Sequence, residues 1–162
     1  MSYYDEIAQG YDELHGREQL NKLNLIKEHV DIKPDHSLLD VGCGSGISTA
    51  FFKCQATGID PSQQLVSIAR MKRDGKYLIG SAESLPFATN EFEHVISVTA
   101  IQNFTDVEKG LKEIKRVGKK TFVLTALKRS PQISLIKEKI GEHFKIEKQF
   151  EENKDLIFIC KK

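Results

Sequence analysis

The stretch Leu38-Leu39-Asp40-Val41-Gly42-Cys43-Gly44-Ser45-Gly46-Ile47-Ser48-Thr49 constrains this chain more than any other. An apolar run ends in an acid, three glycines follow at alternate positions, and a helix-compatible segment begins directly after them. This order predicts a buried strand, a sharp turn and a helix. A ligand can approach bare backbone at such a turn, and a helix starting there aims its first N–H groups and positive dipole end at that ligand. The stretch therefore predicts a nucleotide-type ligand site.

The remaining chain repeats the alternation. Glu18 to Val30 is expected to be helical, with Leu20, Leu23, Ile26 and Val30 on one face, and Pro34-Asp35 ends it. Ser37 to Val41 is the first strand, and Gly46 to Lys53 a short helix. Ala56 to Asp60 is a second strand, and Pro61-Ser62 opens a helix that turns Leu65, Val66 and Ala69 inward, with Ser62 as its N-cap. Tyr77 to Gly80, His94 to Val98 and Thr121 to Leu127 are further strands, and Thr105 to Val117 is a helix presenting Val107, Leu111 and Ile114. A helix after Ser130-Pro131 precedes Phe144 to Phe150 and Leu156 to Cys160, two strands joined through Glu151 to Lys154 as a hairpin. Strands alternating with helices predict an α/β fold with a mostly parallel sheet, closed by a C-terminal antiparallel hairpin.

Length and composition narrow the class. The 162 residues suit a single domain, residues 1–162, in which residues 1–16 read as an N-terminal arm or lid. At 40% hydrophobic and 29% charged residues, the composition argues against disorder. No apolar run is long enough to span a membrane and the first residues do not resemble a signal peptide, so a cytoplasmic location is expected. Cys43, Cys54 and Cys160 are far apart and read as reduced thiols, and the scattered histidines give no argument for a metal.

Which ligand the glycines serve can be argued from their neighbours. No Gly-Lys-Ser/Thr follows, so a triphosphate loop is excluded. The dinucleotide pattern Gly-x-Gly-x-x-Gly fails because the third glycine arrives one residue early, at Gly46. Asp40, ahead of the turn, is a poor neighbour for pyrophosphate and a good one for a cationic amino-acid end. Asp60 ends the next strand, where an acid can accept both ribose hydroxyls. A ribose, an adenine and a cationic amino acid without phosphate describe S-adenosylmethionine.

Leu39 to Gly46 resembles the first motif of the class I S-adenosylmethionine-dependent methyltransferases. Gly58-Ile59-Asp60-Pro61-Ser62 resembles their second motif, Gly80 to Phe87 their third, and Phe92 to Phe104 their fourth strand with its following loop. The chain is most similar to the small ubiquinone/menaquinone-biosynthesis-type (methyltransferase type 11) subgroup, and the likeness extends to Tyr4-Asp5-x-Ile7-Ala8-x-x-Tyr11-Asp12. The resemblance implies a single-domain Rossmann-like fold, with a seven-stranded sheet and helices on both faces. It implies methyl transfer from S-adenosylmethionine, with cofactor contacts from Asp40, Gly42, Gly44, Gly46, Asp60, Pro61, Ser81, Ala82 and Tyr11. Asp40 would steady the amino group, Asp60 the ribose, and the backbone N–H of Ala82 the adenine edge. Ser81 stands where the family often has an acid.

The acceptor is less defined. Ile101-Gln102-Asn103-Phe104 replaces the Leu-His-His common in the subgroup, and Gln102 and Asn103 orient polar groups without accepting a proton as histidine does. Gln102, Asn103, Tyr11 and His15 are the catalytic candidates. Lys109 to Arg129 holds eight cations and one acid, Glu113, which reads either as a solvated face or as a phosphate-tracking surface. A small metabolite, an RNA and a protein all stand as acceptors. By analogy with small RNA and protein methyltransferases, a zinc-ribbon activator would pair with Tyr77-Leu78-Ile79 if that strand is an edge. The alternative to an enzyme is a non-catalytic S-adenosylmethionine sensor or scaffold.

Overall fold

The computed structural model describes residues 16–162. The expected arm, with Tyr11 and His15, lies outside the described residues apart from Gly16. The elements are α1 (residues 16–27), β1 (Ser37–Val41), α2 (Ile47–Phe51), β2 (Gln55–Asp60), α3 (Gln63–Lys72), β3 (Lys76–Ile79), β4 (Phe92–Ser97), a 3-10 turn (Ile101–Asn103), α4 (Val107–Val117), β5 (Gly118–Leu127), α5 (Ile133–His143), β6 (Lys145–Glu152) and β7 (Asp155–Lys161). Seven strands form one sheet in the order β3-β2-β1-β4-β5-β7-β6. The pairings from β3 to β5 are parallel, and β7 runs antiparallel to both neighbours. This is the expected Rossmann-like architecture, and the order reverses between β1 and β4, where open α/β sheets bind ligands.

Period-two alternation in the strands divides the core between the two faces of the sheet. Leu39, Val95, Phe122, Leu124, Phe158 and Cys160 pack toward α4 and α5, against Leu111, Ile114, Ile136 and Ile140. Leu38, Ile96, Val123, Ile157 and Ile159 face the other way, against Leu23 and Ile26 of α1. Six consecutive residues of β7, Asp155 to Cys160, are buried, because this strand is covered on both faces and paired on both sides. The outer strand β6 carries Lys145, Glu147, Lys148 and Glu151 exposed, charges that discourage a further strand from adding to that edge.

Local signals explain the ends of two helices. Ser62 Oγ accepts from Leu65 N–H at 3.2 Å, the N-cap expected from sequence, and Asp106 caps α4 by accepting from Lys109 N–H. Two expectations need correction. Leu20 is 45% exposed, whereas Lys22 is buried through an ion pair with Asp155 of β7. The hairpin turn is also tighter than expected: β6 continues to Glu152, and Asn153 takes φ 50 in a conformation that asparagine tolerates.

His94 on β4 is buried, and its Nε2 lies 2.9 Å from His36 Nδ1. Burial, with His36 beside it, pushes its imidazole down to about 4. Because the unfolded chain takes up that proton more readily, His94 should cost stability as pH falls from about 6.5 toward 4. Urea melts at pH 7 and 4.5 should show His94→Gln losing about 2–3 kcal/mol less than the wild type across that interval.

Candidate functional site

Two cavities open near the carboxyl ends of the strands. The first, of about 270 Å³, is lined by the turn after β1 (Gly42 to Ser45), Asp60 and Pro61 after β2, and Val98 to Ala100 after β4, with Asn103 and Phe104 beyond them. Gly42 has φ +78, and a Cβ there would collide with that of Ala100, so only glycine lets the two loops meet. Gly46 has φ +86, and a Cβ there would reach 2.8 Å from the Tyr77 hydroxyl. That glycine makes room for a side chain and does not line the cavity.

The turn is tied down by its own donors. Gly42 N–H and Cys43 N–H both donate to Ile59 C=O, at 2.8 and 3.1 Å. Gly44 N–H donates to Asp60 Oδ2 at 3.0 Å, and Ser62 N–H to Asp60 Oδ1 at 2.8 Å. A ligand therefore meets Gly42 and Gly44 as bare, close-packed backbone whose N–H groups are already bonded. The dipole contribution expected from the following helix is small, because α2 has only five residues.

Asp40 is completely buried and does not line the cavity. Its Oδ2 accepts from Ser48 Oγ at 2.5 Å and Thr49 Oγ1 at 2.7 Å, while Oδ1 has no partner among the described residues. Burial pushes its carboxyl up to about 6, against the pull of the two hydroxyls. Of the other expected cofactor residues, Asp60, Pro61, Gly42 and Gly44 converge on this cavity; Ser81 and Ala82 lie outside its lining, and Ala82 is buried.

The second cavity, about 350 Å³, shares Gln19, Thr99 and Asn103 with the first. Its polar floor links the first helix to the last strand. Lys22 Nζ pairs with Asp155 and reaches Thr99 Oγ1 at 2.5 Å, and Thr99 Oγ1 lies 3.3 Å from Asp155 Oδ2. Thr99 has φ 55, a strained backbone for a β-branched residue. It is held there by its N–H donating to Thr125 Oγ1 at 2.7 Å and by Gln102 Nε2 donating to its C=O at 2.9 Å. Asn103 lines both cavities, and Gln102 lines the second. Sequence reasoning missed Thr99, Lys22 and Asp155, because neither a positive φ nor a buried ion pair leaves a local signature.

The basic stretch does not form one surface. Lys119-Lys120 and Lys128-Arg129 lie at opposite ends of β5, on the order of 25–30 Å apart at strand rise. Lys112, Arg116, Lys120 and Lys128 pair with Glu108, Glu113, Glu93 and Glu151. Among the described residues, Glu108, Glu142 and His143 have metal-ligand spacing, but Lys139 pairs with both carboxylates. No described helix is long and apolar enough to cross a membrane.

Comparison with known proteins places the chain in a family and matches its fold. Residues 39–124, just over half of the chain, match the family described as Methyltransferase domain. The chain belongs to that family, the type 11 subgroup of the class I S-adenosylmethionine-dependent methyltransferases. It is 31% identical over 117 residues to an uncharacterized protein of Methanocaldococcus jannaschii, covering 72% of this chain and 46% of the other. It is 28% identical over 142 residues to the demethylmenaquinone methyltransferase of Thermotoga maritima, covering 81% of this chain and 62% of that one. The chain spans about half the length of the curated relatives it matches. In fold it is similar to a Haloferax volcanii methyltransferase solved in complex with the Trm112 methyltransferase activator. The TM-score is 0.79 at 17% identity, over 99% of this chain and 98% of that one.

The buried Asp40 carboxylate yields a prediction. Its folded pKa lies above the unfolded one, so the stability it adds is full below about 3.8 and is lost as pH rises through about 6. Asp40→Asn should therefore raise the stability of the ligand-free protein by about 2–3 kcal/mol at pH 8 and by about half as much at pH 5, read from urea melts at both pH values.

Proposed function

We propose that this chain is a methyltransferase that binds S-adenosylmethionine in the first cavity and methylates a small molecule held beside it. One observation carries the cofactor reading: the sole charged residue in the described lining of that cavity is the carboxylate Asp60. A pyrophosphate would meet a negative charge with no cation to balance it, whereas a sulfonium or an ammonium is favoured there. Asp60 keeps acceptor capacity on both oxygens for ribose hydroxyls, since each takes one backbone bond. Asp40, bonded to Ser48 and Thr49, sets the position of the turn from beneath. When bound, S-adenosylmethionine supplies a methyl that passes to the acceptor's lone pair as the C–S bond breaks and sulfur keeps the bonding pair. The chain's own work is alignment and exclusion of water, which suits a site lined by fixed backbone.

The second cavity, of small-molecule size, and the separation of the basic residues support a metabolite as acceptor over an RNA. Calorimetry should show binding of S-adenosylmethionine and none of NAD. Asp60→Ala should weaken cofactor binding by about 10- to 100-fold, or 1.5–3 kcal/mol. Binding of NAD alone, or unchanged affinity in the variant, would overturn the cofactor assignment. Transfer of labelled methyl from S-adenosylmethionine into cell extract separates an enzyme from a binding-only scaffold, which would leave the label in place.

A partner at the free edge of the sheet is a second reading, favoured by one observation. Strand β3 is the outermost strand on its side, with Ile79 half exposed and Met71 of α3 almost fully so. Arg70 Nε and Nη2 already bond the Tyr77 carbonyl, so an added strand would pair at Ile79. Co-expression with a Trm112-type activator should give a complex that Ile79→Lys weakens at least tenfold, read by pull-down and titration.

A further inference from the structure

The ion pair between Lys22 of α1 and Asp155 of β7 stands where stability alone gives little reason for one. Both residues are buried, and Asp155 Oδ1 has no hydrogen-bond partner among the described residues. Desolvation of two charges offsets much of their attraction, and two apolar side chains of similar volume hold such a position as firmly. What an apolar pair lacks is direction. The Lys22 ammonium donates to Thr99 Oγ1 at 2.5 Å, and the Thr99 hydroxyl donates in turn to Asp155 Oδ2 at 3.3 Å. The pair thus clamps Thr99 through one donor and one acceptor. The same ammonium, which can only donate, fixes which end of the Gln19 amide faces it, with Oε1 at 3.1 Å.

Thr99 is the joint between two fixed pieces of chain. Before it, Ser97 Oγ donates to Val41 C=O at 2.8 Å and ties the end of β4 to β1. After it, Asn103 N–H donates to Ala100 C=O at 2.9 Å and Phe104 N–H to Ile101 C=O at 3.0 Å, closing the 3-10 turn. At the joint φ is 55, which a β-branched residue keeps only under constraint. The next residue, Ala100, lies so close to Gly42 that a Cβ on that glycine would stand 2.4 Å from its own. Gln19, Gly42, Thr99, Ala100 and Asn103 all line the first cavity, whereas Lys22 does not. Relaxation of Thr99 to negative φ would carry Ala100 off Gly42 and reshape that wall.

We propose that Lys22, backed by Asp155, is a positioning residue for cofactor binding. It holds Thr99 in the left-handed conformation, and so keeps the wall after β4 in the shape that accepts S-adenosylmethionine. This rests on the reading of the first cavity as the cofactor site. Without the clamp the competent shape is only one of several, and apparent affinity falls by the fraction lost.

Calorimetry with S-adenosylmethionine on the full chain tests the assignment. Lys22→Met with Asp155→Leu removes the pair without leaving either charge alone, so its urea midpoint should match or exceed that of the wild type. Its cofactor affinity should nevertheless fall about tenfold. Thr99→Val, which keeps the ion pair and removes only the clamped hydroxyl, should lose affinity by a similar factor. Glycine takes positive φ without strain, so in a Thr99→Gly background the paired substitution should change affinity by less than about threefold. Nitrogen–proton NMR of the ligand-free paired variant should show the Thr99 and Ala100 amides displaced while the remaining spectrum keeps its dispersion. Unchanged affinity in the folded paired variant or in Thr99→Val overturns the proposal. So does an equal loss in the glycine background, which would mark the pair as packing alone. A wild-type chain that binds no S-adenosylmethionine removes the methyltransferase reading and the proposal together, and the wild-type titration therefore tells the two failures apart.

Discussion

The carboxylate of Asp60 is the tie on which the ligand end of the sheet depends. One oxygen holds Gly44 and the other holds Ser62, so a single side chain joins the turn after β1 to the start of α3. The neighbouring Ile59 carbonyl takes two more N–H groups from the same turn. A turn stapled in this way keeps its shape without a ligand, which is the preorganisation that binding and alignment both require. The same bonds shape the chemistry of the cavity: the turn's donors are spent inward, and among the described lining residues Asp60 alone is charged.

Stability is given up at the same end of the molecule. Asp40 is an acid enclosed at the carboxyl end of a central strand with one oxygen unpartnered among the described residues, and Thr99 holds a conformation that costs a β-branched residue energy. Both lie where parallel strands end and loops begin, the region in which open α/β sheets place their sites. The core beneath carries these costs because it is apolar and closely packed on both faces, from Leu39 and Phe122 on one side to Ile26 and Val123 on the other.

Chain topology brings distant segments to the second cavity. Lys22 comes from the first described helix, Thr99 from the end of β4, and Asp155 from the inserted strand β7. Only because β7 enters between β5 and β6 does the start of that strand, with Asp155, reach the carboxyl end of β5. An order ending β5-β6-β7 would carry this acid to the sheet's margin and leave Lys22 buried without a counter-ion.

The sequence by itself determined the elements and the ligand end of the sheet. Alternating apolar residues specify which side of a strand is buried, and glycines mark where a side chain cannot stand, so β1, its turn and the acid ending β2 were all legible. Ser62 as a cap was legible for the same reason, since its partner is three residues away. Tertiary structure alone decided the rest. That Lys22 is buried and Leu20 exposed depends on Asp155, far along the chain, and no local pattern encodes such a pair. That Gly46 serves the Tyr77 ring, that Asp40 lies beneath the turn, and that Thr99 and Gln102 face a second cavity are likewise consequences of packing between segments. Periodicity records how each segment meets the core, whereas a site is made from what different segments present to one another.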